Sequence, residues 1–292
     1  MIPDAAFFDT LSRLRLAMGH KSSMNLTGNR KSTRKGSSTE FSDFREYMPG
    51  DDIRRIDWNA YGRLDRLYVK EYMEEKEAVV SILLDTSASM NYGSKKKSDL
   101  VCMLAATMAW LGMNNMDRVV LYDMQNMQFP FTAAGGKRAL PRMAAWLDGL
   151  NFEGETDIGA AVRKLPAKGP GVTILISDFL QEDFVEDRDT AKRLLRFLDY
   201  RRQKAVFLHV LAGEELSVEL TGTHNLIDME DKSTLRLTLD DASIRVYERA
   251  LQDFVSGLRR ECAGMGAFYA VCDTNADFHR LIFQDLRMLY DI

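Results

Sequence analysis

The chain has 292 residues, 46% of them hydrophobic and 28% charged, with a formal net charge of −4, which suits a packed globular protein and gives no global reason to expect nucleic acid as a partner. No apolar run approaches the ~20 residues that cross a bilayer, and Met1-Ile2-Pro3-Asp4 lacks the basic and apolar regions of a signal peptide. Cys102, Cys262 and Cys272 form neither a CxxC pair nor an even disulfide set, so the expectation is a cytoplasmic protein with no membrane span and no zinc site.

Residues 4–18 predict an amphipathic helix. Asp4 caps it, and Phe7, Leu11, Leu14 and Met18 share one face. That stripe reads as docking onto the protein's own core. Residues 19–38 read as a polar loop, and its basic run Arg30-Lys31-Ser32-Thr33-Arg34-Lys35 reads as solvated before it reads as a site for an acidic partner. Further on, Pro49-Gly50 suits the centre of a tight turn, with Asp51 or Asp52 capping a short helical turn after it. The close mix of Arg45, Asp51, Asp52, Arg54, Arg55 and Asp57 suggests an ion-pair network around Trp58, structural first and recognitional second.

From about residue 78, strand-like and helix-like segments alternate. Strands are predicted at Ala78–Leu84, Arg118–Met124, Met127–Thr132, Gly171–Ser177, Ala205–Leu211 and Ala267–Cys272. Helices are predicted at Ser98–Met113, Lys137–Leu150, Asp157–Leu165, near Thr190–Arg202, at Ile244–Cys262 and at Asp277–Tyr290. Such alternation implies an α/β fold with a mostly parallel sheet covered by helices on both faces. Between Gly213 and Asp241, Asn225–Met229 and Thr234–Thr238 flank a turn-like stretch and predict an inserted β-hairpin. The domain boundary falls between an N-terminal segment, 1–77, and an α/β domain, 78–292.

The first strand of that domain runs into Asp85-Thr86-Ser87-Ala88-Ser89. One carboxylate and two hydroxyls at alternate positions can converge on a hard cation, and the carboxyl ends of strands are where open α/β sheets place ligands. Thr156 opens a predicted helix and Asp178 ends another buried strand. With Asp85, Ser87 and Ser89 they make two carboxylates and three hydroxyls, a set suited to Mg²⁺, with Mn²⁺ or Ca²⁺ as alternatives, and poor for softer metals. With so few anionic ligands the ion stays partly hydrated, and a partner's carboxylate can complete its shell. Taken singly, Asp85 and Asp178 also suit helix caps, and the hydroxyls suit loop amides.

Asp-x-Ser-x-Ser, a distant Thr and an Asp ending a buried strand together resemble the metal-ion-dependent adhesion site of von Willebrand factor A domains. That resemblance covers roughly residues 78–290 and implies a Rossmann-like sheet. Residues 36–75, with Gly36, Glu40-Phe41, Arg45-Glu46-Tyr47-Met48-Pro49-Gly50-Asp51-Asp52-Ile53-Arg54-Arg55-Ile56-Asp57-Trp58 and then Arg63, are similar to the bacterial domain-of-unknown-function family fifty-eight. Its members join this segment to a von Willebrand A-like domain. The resemblance implies a non-catalytic partner of MoxR-type AAA+ ATPases that helps to mature or regulate client proteins.

The residues themselves point to a metal-dependent binding module. The alternative is a metal-dependent phosphohydrolase of haloacid-dehalogenase type, but the second Asp such enzymes need is here Ser87. No Walker A loop is present, since Gly93-Ser-Lys-Lys-Lys-Ser98 has the wrong spacing. His20, His209, His224 and His279 belong to no nucleophile motif; His209 reads as a core residue, and Cys102 and Cys272 read as packed inside. A structural subunit with a vestigial site is the third reading.

Overall fold

The computed structural model describes residues 2–11, 14–16, 39–74, 79–114, 118–133, 136–166, 170–187, 189–218, 222–227 and 234–291. The loop expected at 19–38, with its basic run, lies outside them. The chain divides into two compact units, Met1–Ser22 with Ala78–Ile292, and Ser23–Glu77.

In the larger unit, β4 (Val79–Leu84), β5 (Arg118–Asp123), β6 (Phe131–Ala133), β7 (Gly171–Ser177), β8 (Gln203–Leu211) and β11 (Phe268–Asp273) form one sheet in the order β11-β8-β7-β4-β5-β6. All pairings are parallel except β5 with β6. This is the mixed α/β, mostly parallel architecture expected from the alternation. Period-two geometry sends alternate side chains of each strand to opposite faces. Val80, Ile82 and Leu84 join Val172, Ile174 and Ile176 in one core with the helix Lys97–Asn114. Leu83, Leu175 and Phe207 join the other, under the helices Ile158–Lys164, Asp189–Tyr200 and Asp241–Gly264. Burial on both faces is why these strands read as continuous apolar runs.

The first helix is Ala5–Leu11, shorter than expected, with Asp4 accepting from the Phe7 amide at 2.8 Å. Phe8, Leu11 and Leu14 are buried in the first core, where Phe8 packs on Trp110 with ring centroids 5.4 Å apart. Contacts therefore place this helix with the α/β unit rather than with residues 39–74.

One further expectation changes. The segment Asp277–Tyr290 is not one helix. A single turn, Phe278–Arg280, passes into a π-helical turn, Leu281–Asp285, then a 3₁₀ turn, Arg287–Leu289, and β12 (Tyr290–Asp291) pairs antiparallel with β1 (Arg15–Leu16). Across these turns Leu281, Ile282, Leu286 and Leu289 are all buried in the first core. The predicted hairpin is present as β9 (Gly222–Ile227) and β10 (Thr234–Leu239), paired antiparallel apart from the main sheet.

The smaller unit contains strands that the alternation from residue 78 does not announce. There β2 (Thr39–Glu46) pairs antiparallel with β3 (Tyr68–Glu74), with a register shift between Phe41 and Asp43. Asp52 caps the 3₁₀ turn Ile53–Arg55, and Asp57 caps the helix Trp58–Leu64. Arg45 grips Asp51 through two bonds of 2.8 and 2.9 Å, and Asp51 also accepts the Met48 amide, closing the Pro49-Gly50 turn. The Arg45–Asp51 pair orders that turn, and the Trp58 side chain is 63% exposed.

Candidate functional site

The chain leaves β4 for β5 on one side of the sheet, then crosses to β7 and β8 on the other. The carboxyl ends of β4 and β7 therefore flank the point where strand order reverses, the crevice in which open α/β sheets hold ligands. Asp85 directly follows β4 and Asp178 directly follows β7. Both are 2% exposed or less.

The loop after β4 is held by its own side chains. Asp85 Oδ1 accepts the Ser87 amide at 3.0 Å, and Asp85 Oδ2 accepts the Ser177 hydroxyl. Ser87 Oγ and Ser89 Oγ are 3.0 Å apart, and Ser89 Oγ donates to Asp178 Oδ2, also at 3.0 Å. A hydrogen-bonded chain thus runs from the Asp85 loop to the tip of β7. The other oxygen of Asp178 accepts the Leu180 amide at 3.2 Å. Both carboxylates do stabilise their own turns, and both also face a shared group of hydroxyls.

Phe179, next to Asp178, is fully buried in a left-handed conformation with φ 52°. Non-glycine residues adopt this region at a cost and persist there only when their surroundings enforce it, most often at functional sites. Here Ser177 Oγ accepts the Phe179 amide at 2.9 Å while its hydroxyl hydrogen goes to Asp85, so one serine ties both strand tips together.

Thr156 approaches from a third loop. Gly154, with φ 68°, turns the chain so that its carbonyl accepts the Ala88 amide at 2.8 Å. Thr156 is buried; its hydroxyl lies 3.4 Å from Gln125 Nε2, and its carbonyl accepts from the Gln181 side chain. Among the described residues no hydrogen bond joins the Thr156 side chain to the other four candidates. The structure therefore links Ser87, Ser89 and Asp178 directly, sets Asp85 beside them, and brings Thr156 alongside through the backbone.

Sequence reasoning missed several members of this cluster. Thr86 Oγ1 donates to Asp123 Oδ1 at 2.6 Å, fastening the loop to the end of β5. More consequential is Lys97, which is 1% exposed and donates at 2.7 Å both to Asp178 Oδ2 and to Glu215 Oε1. Its signal was legible: Lys97 falls on the inward spacing of Val101, Leu104 and Met108, while Lys95 and Lys96 are exposed.

The electrostatics follow from burial. Desolvation first, then the nearby charge of Asp178, push the Asp85 carboxyl above its ordinary range despite bonds from Ser177 and Ser87. Burial alone would push the Lys97 ammonium down. Asp178 and Glu215 reverse that, and the balance is upward, so Lys97 stays charged. His209 is fully buried, with Nδ1 2.6 Å from the Tyr269 hydroxyl, and burial holds it down to about 4, neutral at physiological pH. Burial pushes Cys102 up to about 11 and Cys262 up to about 12, which leaves both thiols inert.

The donor set fits a hard divalent cation: carboxylate and hydroxyl oxygens only, with Asp85 destabilised as an anion by burial and by its neighbour. Among the described residues there is no cluster of three or more His, Cys, Asp or Glu suited to a metal. The oxygens of this site are thus too few in charge to form a closed cage.

A family model described as a protein of unknown function, DUF58, matches residues 43–254. Uncharacterized proteins of Mycobacterium bovis and Mycobacterium tuberculosis are each 25% identical to this chain over 285 residues, which is 95% of this chain and 88% of theirs. Among solved structures, a conserved hypothetical protein BatB from Bacteroides thetaiotaomicron aligns with a TM-score of 0.40 at 16% identity, over 73% of this chain and 98% of that one. An aerotolerance-related membrane protein from Bacteroides fragilis aligns with a TM-score of 0.41 at 17% identity, over 72% and 99% respectively. In the chain described here, among the described residues, no helix is long and apolar enough to cross a membrane.

Proposed function

The chain belongs to the DUF58 family, and we propose that it is a non-catalytic, metal-dependent protein-binding adaptor with a von Willebrand A-type domain. The observation that carries this reading is the meeting of Asp85 and Asp178 at neighbouring strand tips, joined through the hydroxyls of Ser87 and Ser89. Asp85, Ser87, Ser89, Thr156 and Asp178 are the residues that would hold Mg²⁺. When bound, the ion would supply a Lewis-acidic contact for a carboxylate of another protein. The chain's own residues preset the site: Ser177 fixes both strand tips, and Gly154 fixes the Asp85 loop against the Thr156 turn.

The same geometry disfavours hydrolysis. A haloacid-dehalogenase-type enzyme needs a general acid two residues after its nucleophile. Here that position is Ser87, occupied with Ser89. Following the family resemblance, we assign the partner as a MoxR-type AAA+ ATPase or its client, engaged through an acidic residue in a cytoplasmic setting. Asp85→Ala should abolish Mg²⁺-dependent capture of that ATPase while leaving the far-ultraviolet circular dichroism unchanged. Undiminished capture by Asp85→Ala with Mg²⁺ present, or by wild type in the presence of a chelator, would refute the reading.

A further inference from the structure

We propose that Lys97 is the resident counter-cation of the site, competing with an incoming divalent ion for Asp178, and that Glu215 sets the outcome by sharing the ammonium. This rests on the divalent-metal reading above and deepens it, by naming what sets the site's affinity.

Lys97 stands where an ammonium is least welcome. It is the first residue of the buried helix Lys97–Asn114, and a helix N-terminus disfavours positive charge. Its place is held by two carboxylates, each at 2.7 Å. On Asp178 it takes Oδ2, the same oxygen that receives the Ser89 hydroxyl, while Oδ1 is turned to the Leu180 amide. A divalent ion drawn to Ser89 and Asp178 therefore meets the oxygen that the ammonium already holds. Cations sharing one carboxylate in a poorly solvated site repel strongly.

Asp85 differs: it accepts from Ser87 and from the Ser177 hydroxyl, and among the described residues no cation is paired with it. One carboxylate of the pair is open and the other is taken. Glu215 offers the ammonium somewhere else to go. It sits on the short helix Gly213–Leu216, outside the metal-site residues, and is anchored because its Oε2 accepts the Ala212 amide at 2.7 Å. As the ion claims Asp178, the Lys97 charge shifts its weight to Glu215. Such a site binds metal weakly by itself and firmly only when a further carboxylate arrives.

Isothermal titration of the full chain with Mg²⁺ alone tests this, using wild type, Lys97→Met, Glu215→Gln and Asp85→Ala. Removing the competing charge should tighten Mg²⁺ about tenfold or more, whereas Glu215→Gln, which leaves the ammonium wholly on Asp178, should weaken it. Opposite signs are the signature, because a merely structural role would weaken both. Binding by Lys97→Met that equals or falls below wild type overturns the inference; if Asp85→Ala still removes wild-type binding, the metal reading survives. Binding by Lys97→Met alone supports it. Failure of all four proteins to bind ends the metal reading and this inference together. Should Lys97→Met not fold, Glu215→Gln decides: weaker binding supports the competition, and equal or tighter binding overturns it.

Discussion

At the carboxyl edge of the sheet, Asp85 and Lys97 are each 1% exposed and Asp178 is 2% exposed, whereas in the unit of residues 39–74 Ile53 and Trp58 are each 63% exposed and Leu64 is 60% exposed. One region buries charge and the other displays apolar surface, so each inverts the ordinary distribution. The inversions are not equivalent. At the sheet edge every one of those charges has been given partners, down to a serine shared between strand tips. In the small unit the caps, the Arg45–Asp51 pair and the strand pairing are complete without the exposed side chains. The buried charges are therefore coupled to the fold, and the exposed apolar groups are not.

The largest effect should come from dividing the buried triad. In metal-free buffer, Lys97→Met leaves Asp178 and Glu215 uncompensated, and breaking a buried pair in this way costs about 3–5 kcal/mol. The thermal midpoint should fall by roughly 2–4 °C for each kcal/mol. An unchanged midpoint would mean that the edge charges are as independent of the fold as the surface of the small unit.

His209 gives the next effect and sharpens the same contrast. Its folded pKa is held down to about 4, while the unfolded chain titrates near 6.5. Below pH 6.5 the unfolded state takes up a proton that the folded state refuses. The stability present above that pH is therefore lost as pH falls toward 4, by about 3 kcal/mol in all. Urea midpoints across that window should show the loss, and His209→Gln should flatten it. A wild-type profile already flat between those values would show that His209 is protonated in place.

Asp85→Asn should act in the opposite direction and by less. Burial and the Asp178 charge both penalise the Asp85 carboxylate, and the amide oxygen of Asn can still accept from Ser87. Metal-free stability should rise by about 1–2 kcal/mol, while any stabilisation by added Mg²⁺ disappears. A residue that improves the fold when neutralised is being kept for something other than folding.

How far this was legible follows from the same physics. The strands of the sheet are buried on both faces, so their apolar runs marked β4, β7 and β8 within two or three residues, and the two aspartates that end such runs were placed correctly at the strand tips. Lys97 was missed because it lies in a run of lysines that reads as solvated, and only helical phase separates it from Lys95 and Lys96. Glu215 is 118 residues from Lys97 in sequence, and no local pattern can report a pairing at that range. In the last segment, the π-helical turn shifts the helical phase after Leu281, which a fixed period cannot show. Strands β2 and β3 escaped because their residues form one antiparallel ribbon, without the continuous apolar run that marks a sheet core.

The smallest effect belongs to the small unit, and it is the one that can break the comparison outright. Trp58 packs edge-on against Tyr61, their ring centroids 6.3 Å apart, yet it stays mostly in solvent. Trp58→Ser should change the unfolding midpoint by no more than about 0.5 kcal/mol, as surface changes do. Val69, by contrast, is 4% exposed on β3, where it bridges to the buried Ile56. Val69→Ala should cost about 1–2 kcal/mol through lost burial and a cavity. Unfolding should be followed by tryptophan-independent circular dichroism, since Trp58 is itself a fluorophore. If Trp58→Ser costs as much as Val69→Ala, the exposed surface belongs to the fold after all. If it costs nothing, that surface is as free of folding duty as its solvent exposure implies, and the charged edge stands alone as the place where stability and binding are coupled.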